Sequence, residues 1–180
     1  VGLKADFTSS NVFREVELPT LPDRQVMWEP DQYHGMIKLC DEEGFPAMGT
    51  MLTMCYEFCQ RPGDIRRMKW ANIDGRTGVS NFVQQKTKQR MAIKVTNKVT
   101  ERLHLHQKRN TDDFIFHYDK DGRPYTQDWC NKHFRILADK FGLPEVAEEG
   151  QFNVDGSQKY TKLMMMDLRR TGATDASPPG

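Results

Sequence analysis

The stretch from Arg61 to Val95, RPGDIRRMKWANIDGRTGVSNFVQQKTKQRMAIKV, leaves a folding chain few options. Pro62 has no amide hydrogen to donate and a fixed φ, so a helix arriving from the N-terminal side must stop at Arg61. The same proline suits the first turn of a new, short helix that carries Ile65 and Met68 inward, with Trp70 after it. Val79–Gln84 and Met91–Val95 read as two strands. Lys86-Thr87-Lys88-Gln89-Arg90 joins them, so they pair as an antiparallel hairpin with a strongly basic tip.

On either side of this hairpin the periodicity is helical. Trp28-Glu29-Pro30-Asp31 opens a helix with Tyr33, Met36, Ile37 and Cys40 on one face, and Gly44 ends it. A second helix, from about Ala47 to Gln60, carries Met48, Met51, Leu52, Cys55, Phe58 and Cys59 as an apolar stripe. Flexible, polarisable Met side chains at that spacing read as core. Thr96 or Asn97 caps a helix with Val99, Leu103 and Leu105 among its apolar positions. Asp112–Phe116 reads as a short strand and Asp119–Arg123 as a turn. Thr126 caps a helix that turns Trp129, Phe134, Leu137 and Ala138 inward and stops at Gly142-Leu143-Pro144. The acidic, polar run Glu145–Ser157 reads as a loop. Asp167 is the expected N-cap of a last helix, with Arg169 and Arg170 in its first turn. The expected fold class is α+β, mostly α-helical with a small antiparallel sheet. Residues 1–27 read as an extended lead-in, 28–176 as one domain and 177–180 as a tail.

Net charge is +1, but 13 of the 26 Lys/Arg and only 3 of the 25 Asp/Glu fall between residues 61 and 110. Such a segment is either a face for a polyanion or a face matched by acidic neighbours in the fold. No apolar run is long enough to span a membrane. The N-terminus lacks both a signal-peptide pattern and an initiating Met, so an intracellular piece of a longer chain is expected. Cys40, Cys55, Cys59 and Cys130 include no CxxC pair. Cys55 and Cys59 read as buried reduced thiols on one helix face. His104 and His106 would point apart on a helix; with His34, His117 and His133 they read as structural, and neither a metal nor another cofactor is expected.

The residues with chemical potential are cationic. Arg61, before a Pro-Gly-Asp turn, can clamp phosphate oxygens in a two-pronged fashion, with Asp64 to brace it or to cap the helix that follows. Its structural alternative is a surface pair with Asp64. Lys86, at the hairpin tip, can reach into a nucleic-acid groove. A lysine whose pKa is lowered by neighbouring cations can also protonate a leaving oxygen, and otherwise it merely blunts a sheet edge. Arg169 and Arg170 at a helix start would combine guanidinium charge with free backbone N–H groups, an arrangement that binds phosphate.

Together these segments resemble the catalytic domain of the tyrosine recombinases, the phage-type integrases. RPGDIRRMKWANID is similar to their first-arginine motif, QQKTKQRMAIKV to their lysine hairpin, and MDLRRTGAT to the segment around their second arginine, usually His-x-x-Arg. The resemblance runs from about Arg24 to Thr174. It implies that Arg61 and Arg169 hold a scissile phosphate and stabilise its pentavalent transition state. It implies Lys86 as general acid for the 5′-hydroxyl leaving group, and Asp64 and Arg170 as supporting residues. Arg66, Lys88 and Arg90 become candidate DNA contacts. The partners implied are duplex DNA and further copies of the chain assembled on it, with no membrane and no metal.

Two departures qualify the resemblance. Met166 stands where the family has its His, and a thioether cannot move a proton. The family's nucleophilic tyrosine follows the second arginine, whereas Tyr33, Tyr56, Tyr118, Tyr125 and Tyr160 all precede Arg169. The expectation is therefore site-specific DNA recombination or integration through a 3′-phosphotyrosyl link, from a fragment that lacks the nucleophile and is inactive alone unless a neighbouring protomer supplies one. The alternatives are a non-catalytic DNA-binding module and a protein-interaction domain with no nucleic-acid role.

Overall fold

The computed structural model describes Arg24 and residues 26–106, 113–118 and 120–176. Most of the expected lead-in, the expected tail and Asp112 lie outside the described residues. Helix α1 (Pro30–Glu42) begins as anticipated, with Pro30 in its first turn and Glu29 at the cap. Helix α2 (Pro46–Glu57) is the centre of the domain. Every residue from Met48 to Cys55 is buried, so this helix is apolar on all sides. Its two buried hydroxyls are satisfied within the helix, Thr50 by the Pro46 carbonyl and Thr53 by the Gly49 carbonyl, both at 2.9 Å.

The four-residue α3 (Pro62–Ile65) follows, then β1 (Ile73–Asp74), β2 (Val79–Val83) and β3 (Arg90–Lys94). These three strands form an antiparallel sheet in sequence order, with Phe82 opposite Met91. Helix α4 (Asn97–Leu103) is capped by Thr96, and α5 (Gln127–Phe141) by Thr126; α5 ends at Gly142 with φ +76°, a left-handed conformation. The hairpin of β4 (Glu145–Phe152) and β5 (Gln158–Lys162) precedes α6 (Leu168–Asp175). The core lies between α2 and the helices around it: α1, α4 and α6 all pack on α2, and α5 packs on α1.

The structure departs from the sequence reading in several places. Residues 145–157 are no loop but β4 and the turn into β5. The buried Glu148 breaks the expected pattern because it is neutralised by Arg24 and Lys159. The Val-Asp-Gly turn, with Gly156 at φ +81°, was the overlooked hairpin signal. Cys55 and Cys59 share no helix face, since α2 has ended before Cys59, which sits at φ +51°. Leu105 lies beyond α4 and is 54% exposed. Trp129 is half-buried and stacked between Tyr125 and His133 rather than in the core. The expected strand at residues 112–116 amounts, where described, to a single bridge between Phe114 and Lys69.

The thiols behave as structural groups. Burial raises the pKa of Cys40 to about 12 and that of Cys130 to about 11. His106 carries the clearest consequence for stability. It packs edge-on against Phe116, and its Nε2 lies 2.9 Å from the Thr50 hydroxyl. Burial, then the charges of Arg102 and His117, lower its pKa from 6.5 to about 4. The unfolded chain therefore takes up this proton first as pH falls. The associated stability is present above pH 6.5 and lost progressively toward about pH 4. Urea midpoints should fall across that window, and His106→Gln should flatten the decline. A variant whose midpoints track the parent throughout would show that another group is responsible.

Candidate functional site

The site grows from the end of α2. Beyond Glu57 the chain turns sharply through Cys59 and reaches Arg61, the N-cap residue of α3. Helix α6 lies across this corner, and Arg169 Nε donates to the Cys59 carbonyl at 3.1 Å. The arginine from the far end of the chain is thus anchored two residues before Arg61. Helix α6 comes this close because of Gly172. A Cβ at that position would lie 2.1 Å from the Tyr56 carbonyl oxygen, where no carbon can sit.

The lysine hairpin is pinned to the same corner. Gln84 Nε2 donates to Gln60 Oε1 at 2.5 Å, and the Gln85 amide donates to Asp64 Oδ1 at 2.9 Å. Lys86 follows directly, exposed on a tip whose turn closes at Lys88 with φ +57°. Asp64 therefore does something other than the expected bracing: its carboxylate holds the hairpin, and no ion pair joins it to Arg61. Nor does it cap α3, whose N-cap residue makes no side-chain cap bond.

Several buried polar atoms on α3, on its N-cap residue and on α6 are left unspent. Arg61 Nη1, Asp64 Oδ2 and Arg170 Nη1 are buried and have no hydrogen-bond partner. A buried polar atom without a partner costs about 1–3 kcal/mol, and a bound anion would relieve that cost for the two guanidinium groups. Arg61 and Met166 line one groove of about 640 Å³, together with Arg135, Lys162, Met164 and Met165. Met166 is 57% exposed at its edge and offers only a thioether. Burial raises the Cys59 thiol above its ordinary pKa, with Arg169 pulling the other way.

Three further expectations need correction or refinement. Asp167 holds the N-cap position of α6, but its carboxylate makes no cap bond to that helix. It accepts instead from Arg24 Nε at 2.7 Å, Arg24 Nη2 at 2.9 Å and the Met164 amide at 2.8 Å. The amide of Leu168 is spent on a tight turn over Met165–Asp167, so the start of α6 is less open than expected. Arg66 points away from the groove and donates to the Tyr125 carbonyl, while Lys88 and Arg90 stay exposed along the hairpin. Sequence reasoning missed Arg24, Gly172 and the Gln60–Gln84 pair. Only Gly172 had a signal, a glycine inside a helical pattern, which marks close packing.

The phage integrase family model matches residues 27–172. No curated protein matches the chain significantly. Among solved structures, a lambda integrase tetramer bound to a Holliday junction aligns with TM-score 0.63 and 17% identity, over 93% of this chain and 47% of that one. XerA recombinase aligns with TM-score 0.61 and 15% identity, over 86% and 52%. The lambda integrase catalytic core aligns with TM-score 0.58 and 18% identity, over 82% and 81%. The chain thus spans about half the length of the first two, and the likeness at these identities is one of fold.

The contact at Gly172 can be tested by its sign. Alanine favours a helix over glycine by about 1 kcal/mol where space allows. Here Gly172→Ala should instead destabilise, by about 1–3 kcal/mol in urea denaturation. Thr174→Ala, on an exposed position of the same helix, should stay within about 0.5 kcal/mol of the parent. A stabilised Gly172→Ala variant would mean that α6 does not approach α2 so closely.

Proposed function

The chain belongs to the phage integrase family, and on that premise we propose that it grips duplex DNA at a scissile phosphate and takes part in site-specific strand cleavage and rejoining. Arg61 and Arg169 hold the non-bridging oxygens, and their charge stabilises the pentavalent transition state as negative charge builds up on phosphorus. A tyrosine hydroxyl gives up its proton to water and its oxygen attacks the phosphorus, the P–O5′ bond breaks, and a 3′-phosphotyrosyl link forms. Lys86 gives its proton to the departing 5′ oxygen. Rejoining runs the same steps in reverse. The observation that carries this reading is the Arg169–Cys59 bond, which ties the second arginine to the corner that presents Arg61.

We assign the nucleophile to none of the chain's own tyrosines. Burial raises the Tyr33 pKa, and Tyr56 is pushed up to about 12 by its bond to Asp175, so both hydroxyls hold their protons. Tyr118 and Tyr125 pack with Trp129, and Tyr160 lies exposed on β5. The attacking hydroxyl then comes from another segment or from a neighbouring protomer on the DNA. With Met166 in the place of a histidine, no side chain at that position shares in proton transfer. We further propose that the unit of residues 28–176 acts inside the cell as part of a DNA-bound assembly.

The test is duplex DNA binding across a salt series. Affinity should fall linearly on a log–log plot, with a slope of about −0.9 for each phosphate neutralised. Arg61→Ala and Arg169→Ala should each weaken binding by roughly tenfold, about 1.4 kcal/mol, with native melting curves. Lys86→Ala should bind nearly as well as the parent. Unchanged affinity in both arginine variants would remove the phosphate site.

A further inference from the structure

A second cationic hollow lies at the other end of α3. It encloses about 590 Å³ and is lined by Arg66, Arg67, Tyr118, Lys120, Asp121 and Arg123, four cations against one carboxylate. That carboxylate is already engaged: Arg123 Nε donates to Asp121 Oδ2 at 2.8 Å. Three positive charges remain without an acidic partner among the described residues.

The hollow is built rather than accidental. Arg66 is fixed by its bond to the Tyr125 carbonyl, which holds the loop before α5 against α3. Its Nε is nevertheless buried with no partner. Arg67 reaches the Gln85 side chain at 3.2 Å once the amide is turned so that its oxygen faces the guanidinium. Gln85 is the residue that Asp64 pins, directly before Lys86. The hollow therefore shares its scaffold with the lysine hairpin on one side and, through α3, with Arg61 on the other.

We propose that this hollow binds a second backbone phosphate of the same duplex, flanking the one at Arg61. The inference rests on the reading that the Arg61 corner grips DNA, and it adds a site which that reading does not use. The spacing is suitable. Arg61 and Arg66 cap the two ends of α3, five residues apart in sequence. That separation is about 8 Å along a helix axis, and successive phosphates of one strand advance roughly 3.4 Å each along the duplex. The two sites thus lie at opposite ends of one short helix, close enough for a single duplex to reach both. A phosphate seated here fixes the register of the duplex on α3 without reading a base, which is the usual part played by backbone contacts.

The experiment measures binding of fluorescent duplex DNA to the whole chain by anisotropy, from low to physiological salt. The parent is compared with Arg67→Ala, Lys120→Ala, the double variant, Arg61→Ala and Lys38→Ala. Arg67 and Lys120 are exposed, and Lys38 is an exposed lysine on α1 remote from α3 in sequence. The double variant should flatten the salt slope by about two, about one for each cation lost, and weaken binding equally on unrelated sequences. Lys38→Ala should leave the slope unchanged. A double variant with the parental slope, beside a weakened Arg61→Ala, overturns the second site and leaves the first standing. An equal loss in Lys38→Ala also overturns it, by reducing the effect to net charge. A parent that does not bind DNA at low salt overturns both readings together.

Discussion

The site depends on how closely α6 can approach the end of α2. Glycine at 172 lets the Tyr56 carbonyl sit where a side chain would be, and that contact brings Arg169 to the Cys59 carbonyl. From there the geometry propagates through covalent connection, because Cys59 in its left-handed conformation turns the chain toward Arg61. The neighbouring tie is made by Thr171, whose hydroxyl accepts from the Trp28 amide at 3.0 Å. Trp28 also donates its indole N–H to the Met164 carbonyl at 3.1 Å. The segment that enters α1, the approach to α6 and the end of α2 are therefore held as one body around α2. A helix buried on every side cannot shift without reopening the core, which makes it a rigid support for charge.

Arg24 performs a related task at higher electrostatic risk. One guanidinium serves Asp167 and Glu148, whose side chains are only 5% and 6% exposed, together with the Thr161 hydroxyl and the Lys162 carbonyl. Removing two carboxylates from water is expensive, and pairs of this kind contribute less to stability than their short distances suggest. What the network does provide is a single solution. It fixes the β4–β5 hairpin, the tight turn and the head of α6 relative to one another. It also places a carboxylate beside the start of α6, where negative charge is favourable. This offsets the presence of Arg169 and Arg170 in the first turn, which the helix dipole disfavours.

Much of this was legible in the sequence, for identifiable reasons. Proline, glycine and threonine signals act locally, so α1, the α2–α3 break, the basic hairpin, the Thr126 cap and the Gly142 stop could be read directly. The family was legible from the order of its Arg61, Lys86 and Arg169 motifs, because motif order survives even where overall identity is low, and the roles of those three residues stand as proposals. The rest failed where distant partners decided the outcome. Glu148 looked like a loop residue because nothing nearby in sequence reveals Arg24 as its partner. Asp64 looked like a brace for Arg61 because it is three residues away, whereas its amide partner Gln85 is 21 residues away. Asp167 had the composition of a cap, yet its carboxylate was drawn to a guanidinium 143 residues earlier. Local rules set which element forms, and long-range electrostatics set where each carboxylate points.

The short helix α3 shows why the site is a property of the whole fold. Four residues are far too few to be helical alone, since nucleation costs more than one turn returns. Its position comes from contacts made at separations of 21 residues to Gln85 and 59 to Tyr125, with the adjoining corner held by Gln60–Gln84 at 24 and Arg169–Cys59 at 110. These partners can meet only after α2, the three-stranded sheet, α5 and α6 have docked. The finished fold then carries unpaired buried donors on Arg61, Arg66 and Arg170, each a cost of about 1–3 kcal/mol. An anion bound to them would relieve that cost, and a ligand that binds only the folded state stabilises it by an amount that grows with the logarithm of its concentration above Kd. If the corner holds a phosphate as proposed, the free energy spent on keeping these donors unpaired returns as part of the affinity for it.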